Sequence, residues 1–203
     1  MPMTHQPDLF AMADAPRPAP ATGLPQGLAY QPDLIDADEE AALVAAICAL
    51  PFQPFQFHGY EGNRRVVSFG YAYDFARQVL EEVEPIPAFL LPLRAKVASL
   101  AGRAPEDFRQ VLVLEYAPGA GIGWHRDRPQ FDIVAGVSLL SSCPFRLRRR
   151  AGGRFERVTM RPAPRSAYVL TGPARDDWEH SIPPVEALRF SVTFRTFRRP
   201  VGA

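Results

Sequence analysis

The sequence predicts a mainly β fold of the α+β class, in which helices precede a sandwich or barrel of strands. Three observations predict it. After residue 107 the chain carries short segments rich in β-branched and aromatic residues, separated by turns that contain glycine or proline. Before residue 107, two segments carry apolar residues at helical spacing. The length of 203 residues, with 47% hydrophobic and 22% charged residues, is ordinary for one soluble globular domain.

Two helices are expected in the first half of the chain. Asp36 followed three residues later by Glu39 is the pattern of a capping box, and it predicts a helix over 37–50. A second helix is expected over 88–101, where Gly102 supplies the usual terminating glycine.

The predicted strands of the second half are short and evenly spaced. They cover 108–116, 131–140, 145–150, 154–160, 166–172 and 188–197. An earlier segment at 64–69 is either a further strand or part of an edge hairpin.

The N-terminal residues 1–25 have a different composition from the rest. They contain six prolines and many alanines, so we expect a disordered tail, with a single domain over 26–203. Within the tail, Gln6–Phe10 resembles the short peptides by which bacterial DNA-maintenance proteins bind the replication sliding clamp. A tail that docks on its own domain is the alternative interpretation.

Other features of the sequence set the expected environment. No run approaches 18 apolar residues, no signal peptide is evident, and two cysteines make no disulfide framework. We therefore expect a cytoplasmic monomer that does not associate with membranes.

The net charge of +1 conceals an uneven distribution. Residues 141–203 hold 13 arginines and 5 acidic residues, whereas residues 1–140 hold 10 basic and 17 acidic residues. A basic C-terminal third suits a polyanion-binding face. The alternative is that the run Arg148–Arg150 forms a solvated hairpin tip.

His125 and Asp127 are candidate metal ligands. Residues two apart in an extended segment point to the same side, so both side chains are able to face one cavity. His180 follows Asp127 by 53 residues and is the candidate third ligand. Two histidines and one carboxylate form the facial triad of non-haem Fe(II) oxygenases. Taken alone, this pattern also fits a surface pair and an unrelated histidine.

The last predicted strand strengthens the interpretation of an oxygenase. Its alternation places Arg189, Ser191, Thr193 and Arg195 on one face and three apolar residues on the other. Two arginines on one face suit a short dicarboxylate, because the planar guanidinium matches a carboxylate.

The stretch from about 107 to 197 resembles the AlkB family of Fe(II)/2-oxoglutarate-dependent dioxygenases. The matching segments are YAPGAGIGWHRD (116–127), TGPARDDWEH (171–180) and RFSVTFR (189–195). The resemblance implies a double-stranded β-helix (jelly roll) core at about 107–198, with flanking N-terminal helices and a lid hairpin at about 55–75. It also implies Fe(II), 2-oxoglutarate and O2 as cofactor and co-substrates.

The resemblance assigns roles to individual residues. The implied iron ligands are His125, Asp127 and His180. The implied 2-oxoglutarate contacts are Tyr116, Arg189, Ser191 and Arg195. Leu114 departs from the family pattern, because repair enzymes of the family often have an asparagine there that binds the co-substrate.

The substrate that the resemblance implies is methylated DNA or RNA. The expected reaction is oxidative N-demethylation of alkylated bases, coupled to decarboxylation of 2-oxoglutarate to succinate and to formaldehyde release. The candidate substrate contacts are Arg64, Arg65, Phe69, Tyr71, Tyr73 and Gln130. Pro129 stands where a well-known member has acidic residues that recognise the base, so base identity stays open. The alternative is an oxygenase of the same chemistry that acts on protein or on a small molecule.

Overall fold

The structure, a computed structural model, describes residues 23–57, 60–74 and 77–198. The proposed clamp peptide Gln6–Phe10 and most of the predicted tail lie outside these residues.

Within the described residues the chain forms three α-helices and thirteen strands. The helices are α1 (Ala37–Cys48), α2 (Leu91–Ala101) and the short α3 (Gly172–Asp176). The strands are β1 (Leu28–Gln31), β2 (Gln53–Phe57), β3 (Tyr60–Phe69), β4 (Tyr71–Asp74), β5 (Val79–Glu82), β6 (Phe108–Tyr116), β7 (Ile122–His125), β8 (Phe131–Leu139), β9 (Phe145–Ala151), β10 (Arg154–Met160), β11 (Ala167–Leu170), β12 (Glu179–Ile182) and β13 (Arg189–Phe197).

Two antiparallel sheets build the core of the fold. Sheet I has the strand order β1-β11-β8-β13-β6-β3-β2, and sheet II has the order β10-β9-β12-β7. Strands β4 and β5 form a separate antiparallel pair. From β6 to β9, and again from β10 to β13, successive strands alternate between the two sheets, as in a jelly roll. The predicted fold class is therefore confirmed.

One apolar core lies between sheet I and the helices. Phe190, Val192 and Phe194 of β13 are at most 1% exposed and belong to the same buried cluster as Ile47 of α1 and Val97 of α2. The helices thus cover the outer face of sheet I.

A second apolar core lies between the two sheets. Leu114 and Tyr168 contribute from sheet I, and Phe145, Leu147 and Ile182 contribute from sheet II. The rings of Phe145 and Tyr168 lie with centroids 4.6 Å apart. Side chains of β13 that point away from the helices therefore enter the space between the sheets.

The segment predicted as a lid is partly a continuation of sheet I. Strand β2 pairs with β3, and β3 pairs in turn with β6 in the register Arg65 to Glu115. Gly70 joins β3 to β4 with φ of +73°, and a Cβ there would lie 2.0 Å from the carbonyl oxygen of Arg109. This glycine is required because both the backbone conformation and the close approach exclude a side chain.

The capping box predicted at α1 is present. The Asp36 side chain accepts a hydrogen bond from the backbone N–H of Glu39, and the Asp36 backbone N–H donates to the Glu39 carboxylate. The helix ends at Cys48, two residues before the predicted end. No described helix is of the length and apolarity needed to cross a membrane.

We expect Asp36→Ala to lower the free energy of unfolding by about 1 kcal/mol, because an orphan N–H of the first turn loses its acceptor. Urea denaturation measures the change. Asp38→Ala is the matched control, since Asp38 is an exposed first-turn carboxylate that interacts mainly with the helix dipole. Equal losses in the two variants would contradict the capping role.

Candidate active site

The three candidate metal ligands come together at one end of sheet II. His125 ends β7, and His180 lies opposite it in the neighbouring strand β12. Their ring centroids are 4.3 Å apart, and Oδ2 of Asp127 lies 3.6 Å from Nε2 of His180. Two ligands at right angles on one metal ion, with bonds of about 2.1 Å, stand about 3 Å apart. The strand pairing therefore places these side chains close to the spacing of a shared metal.

Asp127 is held by an arginine from sheet I. Nε and Nη2 of Arg195 lie 2.9 and 2.8 Å from Oδ1 of Asp127. Burial opposes ionisation of Asp127, but Arg195 and the two histidines outweigh it and hold the pKa of this carboxyl well below its usual range. The carboxylate is therefore ionised, as a metal ligand must be.

Both histidines are neutral in this environment. Burial lowers the pKa of His180 to about 3, with the neighbouring His125 adding to the effect. Burial also lowers the pKa of His125, against the opposing influence of Asp127. Nδ1 of His125 lies 2.9 Å from the carbonyl oxygen of Gly123. When Nδ1 carries the proton and donates to that carbonyl, Nε2 keeps the lone pair that a metal needs.

The donor set of the site fits Fe(II). Among residues 23–57, 60–74 and 77–198, no three His, Cys, Asp or Glu side chains stand in a completed metal-binding cluster. Asp127 keeps Oδ2 on the side of His180 while Oδ1 is bound by Arg195. Two neutral imidazoles and one ionised carboxylate are the ligands of non-haem Fe(II) centres.

Arg189 is the second feature of the site. It is fully buried, its Nε donates to Oγ of Ser138 at 3.1 Å, and its Nη1 has no hydrogen-bond partner in the described structure. Its guanidinium carbon lies 5.3 Å from the ring centre of Tyr116, which is also buried. A buried guanidinium with an unused donor requires an anion, and a carboxylate matches its geometry.

Tyr116 and Ser191 line the same space as Arg189. Tyr116 lies opposite Arg189 in the pairing of β6 with β13, and Ser191 lies opposite both Leu114 and Ser138. Burial raises the pKa of Tyr116, so its phenol stays protonated and able to donate a hydrogen bond. Leu114 is buried and apolar, so its side chain offers no hydrogen bond at that position.

Arg195 is occupied in this structure. Its Nη1 donates to Oε1 of Gln110 at 2.8 Å, while its other nitrogens bind Asp127. The sequence suggested a contact between Arg195 and the chelating carboxylate of 2-oxoglutarate. The structure shows Arg195 fixing the Asp127 carboxylate, and the contact with 2-oxoglutarate stays a prediction.

Two predicted substrate contacts are corrected by the structure. Phe69 is 7% exposed and packs in the core between sheet I and the helices. Tyr71 is equally buried; its hydroxyl accepts a hydrogen bond from Arg109, and its ring packs edge-on against Phe197. Neither ring is available to stack on a base, because both side chains are buried against other residues.

The remaining predicted contacts have different surroundings. Arg65 is half exposed and forms two hydrogen bonds with Glu115, and Gln130 is exposed. The ring of Tyr73 lies under the guanidinium of Arg128, 3.3 Å from ring centre to guanidinium carbon. Arg64 is buried on the inner side of β3.

The sequence interpretation missed the polar residues that fix the arginines. Gln110 holds Arg195, and Ser138 holds Arg189. Arg175 is 4% exposed and donates to the backbone oxygens of Arg128 and Phe131, thereby holding the loop after Asp127. Alternation along β6 gave a usable signal for Gln110, since it shares a face with Tyr116. Arg175 gave none, because its partners are backbone atoms.

We expect the metal-free protein to lose stability as the pH falls below about 6.5. The unfolded chain binds protons at its histidines near that pH, whereas folded His125 and His180 resist protonation. A histidine whose pKa is lower in the folded protein than in the unfolded chain contributes stability at pH values above its unfolded pKa. This contribution is lost as the pH falls towards the folded pKa, which is about 3 for His180. The loss is at most about 1.4 kcal/mol per pH unit for each histidine.

Urea denaturation at pH 7 and pH 5 measures this loss, with His180→Gln as the matched control that lacks one of the two groups. The control should show a smaller difference between the two pH values. Equal dependence on pH in both proteins would contradict the buried neutral imidazole of His180.

Comparison with known proteins agrees with this site. Residues 35–195 match the family model described as the 2OG-Fe(II) oxygenase superfamily. The solved structure titled "The structure of OsALKBH1" superposes with a TM-score of 0.65 at 13% identity, covering 85% of this chain and 99% of that one.

Two curated relatives carry AlkB-homologue names. An Arabidopsis thaliana protein, "Alkylated DNA repair protein ALKBH8 homolog", is 25% identical over 199 residues, covering 85% of this chain and 56% of its own length. The Mus musculus protein "tRNA (carboxymethyluridine(34)-5-O)-methyltransferase ALKBH8" is 26% identical over 167 residues, covering 79% of this chain and 25% of its own length. The chain thus spans about half of the first relative and a quarter of the second. It belongs to the 2OG-Fe(II) oxygenase superfamily, whose cofactors are Fe(II), 2-oxoglutarate and O2, and it is similar to proteins of the AlkB type.

Proposed function

We propose that this dioxygenase removes alkyl groups from nitrogen atoms of nucleobases in DNA or RNA. The carbon attached to nitrogen is oxidised while 2-oxoglutarate is decarboxylated to succinate, and a methyl group leaves as formaldehyde. The observation that carries the proposal is an arginine ridge on sheet II, the sheet that also carries His125 and His180. The ridge consists of Arg146, Arg148, Arg149, Arg150, Arg154 and Arg157 on β9 and β10.

The arginine ridge begins on β9, the strand that neighbours β12, which carries His180. Strand β9 pairs with β12 so that Leu147 lies opposite His180, and Arg146 and Arg148, on either side of Leu147, project from the other face of sheet II. Glu179 pairs with Arg148 and Glu156 pairs with Arg149, whereas the other four arginines form no ion pair among the described residues. The ridge therefore carries an excess of positive charge, as a surface that follows a phosphate backbone requires.

Aromatic rings alternate with the arginines of the ridge. The guanidinium carbon of Arg148 lies 4.4 Å from the ring centre of Trp124 and 4.6 Å from that of Phe155. Arg150 and Arg157 each lie 5.2 Å from the Phe155 ring centre. Interleaved guanidinium and aromatic planes suit stacking on unpaired bases, which supports single-stranded or flipped-out substrates.

The chain's own residues would divide the work at the site. His125, Asp127 and His180 would hold Fe(II), and Arg189 with Tyr116 would take the distal carboxylate of 2-oxoglutarate. The bound iron and co-substrate supply the oxidising chemistry. Arg195 fixes the orientation of Asp127, and the packing of His180 against the Phe145 ring, 5.2 Å between centroids, excludes water from one side of the site.

We expect Arg189→Lys and Arg195→Lys to weaken different ligands. Arg189→Lys loses the forked donor of the carboxylate grip, so the dissociation constant of 2-oxoglutarate should rise at least tenfold. Arg195→Lys loses the contact that holds Asp127, so Fe(II) affinity should fall about tenfold or more. Anaerobic titrations of Fe(II) and of 2-oxoglutarate measure the two constants separately. Equal effects of both variants on both constants would contradict this division.

The proposed substrate class is tested with oligomers that contain single methylated bases. Wild-type protein with Fe(II) and 2-oxoglutarate should release formaldehyde from some methylated DNA or RNA oligomers and none from methylated peptides, as followed by mass spectrometry. Binding should weaken with salt, and Arg150→Gln should reduce the slope of log affinity against log salt by about one. Arg103→Gln, an exposed arginine beyond α2, is the matched control and should leave the slope unchanged. Turnover of peptides but not of oligomers would overturn the proposal.

A further inference from the structure

Arg64 is a buried cation on the inner face of sheet I. Its residue is 9% exposed, it forms no ion pair among the described residues, and its Nε has no hydrogen-bond partner there. Its guanidinium carbon lies 3.8 Å from the ring centre of Phe55, so the ring covers one face of the cation. The adjacent Arg65, in contrast, is half exposed and paired with Glu115. A buried guanidinium without an anion is costly, which indicates that a ligand completes it.

Arg64 faces the candidate active site. The register that pairs Arg65 with Glu115 places Arg64 beside Tyr116, and Tyr116 in turn lies opposite Arg189. Arg64, Tyr116 and Arg189 thus form one row across β3, β6 and β13 on the inner face of sheet I.

The charge of Arg64 is not neutralised when Fe(II) and 2-oxoglutarate bind to the candidate site. Fe(II) and doubly ionised 2-oxoglutarate together add no net charge. Asp127 offsets Arg195, to which it is bound. The site therefore retains the charges of Arg189 and Arg64 after both groups have bound. Such a site disfavours a cationic methylated base and favours a substrate that brings a negative charge.

We propose that Arg64 binds a carboxylate carried by the alkyl group of the substrate, so that the site accepts N-carboxymethylated bases in preference to N-methylated ones. This inference rests on the proposed function. A backbone phosphate is a poor match for Arg64, because the side chain is buried on the inner face of the sheet. A carboxylate one bond from the carbon that is oxidised would lie within the site itself. Arginine binds it with charge-assisted hydrogen bonds.

O2 and 2-oxoglutarate are sufficient to oxidise such a substrate. A C–H bond of the N–CH2–COO⁻ group breaks and a C–OH bond forms at the same carbon, with one oxygen atom from O2. The other oxygen atom enters succinate as 2-oxoglutarate loses CO2. The C–N bond then breaks, the nitrogen takes the hydroxyl proton, and the two-carbon fragment leaves as glyoxylate.

The test compares two oligonucleotides of one sequence, which contain either N6-carboxymethyladenine or N6-methyladenine. Binding is measured by fluorescence anisotropy under anaerobic conditions with Fe(II) and 2-oxoglutarate. Wild-type protein should bind the carboxymethyl oligomer about tenfold to a hundredfold more tightly than the methyl oligomer. Arg64→Gln should bring this ratio close to one. Arg65→Gln is the matched control on the same strand and should preserve the ratio, because both oligomers have the same phosphates.

Turnover and 2-oxoglutarate binding complete the test. With O2, wild-type protein should release glyoxylate from the carboxymethyl oligomer, and Arg64→Gln should lose most of this activity. A wild-type ratio of one, or the same ratio in Arg64→Gln, overturns the inference while the proposed function stands. A tenfold loss of 2-oxoglutarate affinity in Arg64→Gln with the oligomer ratio preserved assigns Arg64 to the co-substrate and also overturns it. Failure of wild-type protein to bind or convert either oligomer overturns the inference, and the proposed function is overturned only if the panel of methylated oligomers also fails.

Thermal melting checks that Arg64→Gln is folded, and Arg64→Lys supplies a second variant. The lysine keeps the charge but loses the planar fork, so it should retain part of the preference for the carboxymethyl oligomer. A lysine variant that melts like wild type and shows no preference would contradict a role based on charge.

Discussion

The ion pair between Asp127 and Arg195 connects the candidate iron ligands to the middle of sheet I. Asp127 follows β7 of sheet II, whereas Arg195 lies on β13, which has neighbours on both sides. Gln110 of β6 binds the same guanidinium, so the position of Asp127 depends on two strands of the opposite sheet. Strand β12 pairs with β7, so His180 lies opposite His125 and close to Asp127, whose position Arg195 fixes. The jelly roll thus supplies three ligands from a loop and two short strands that sheet I holds in place.

Strand β13 has two faces with different roles: one packs in the apolar core and the other supplies residues to the candidate site. Its residues Phe190, Val192 and Phe194 pack against the helices, and their burial favours folding. Its residues Arg189 and Arg195 enter the space between the sheets, where buried charge requires partners. Ser138 accepts a hydrogen bond from Nε of Arg189, and Gln110 accepts one from Nη1 of Arg195. A carboxylate ligand would accept a hydrogen bond from Nη1 of Arg189. The apolar face therefore offsets the cost of the buried charges.

The sequence predicted the strands whose residues show a clear periodic pattern. It missed short strands that are defined by their pairing with neighbouring strands. Strands β6 and β10 have the predicted bounds, because β-branched and aromatic residues alternate along them and turns flank them. Strand β12 has four residues, too few for a pattern, and pairing with β9 and β7 defines it. The ligand candidates were predictable because their spacing and order are distinctive. The burial of Phe69 was not, because an aromatic residue in a strand suits either a core or a stacking surface.

Arg64 and Arg65 show why residue type alone does not determine a role in this fold. They are identical and adjacent, yet alternation in β3 sends them to opposite faces of sheet I. Arg65 meets Glu115 near solvent, where an ion pair contributes little. Arg64 enters the side that holds Tyr116 and Arg189, where the same charge is desolvated and acts over a longer range. An anion that reaches this side meets cations on both sides of Tyr116, so the face of the sheet, rather than the number of arginines, determines which ligand charge the site accepts.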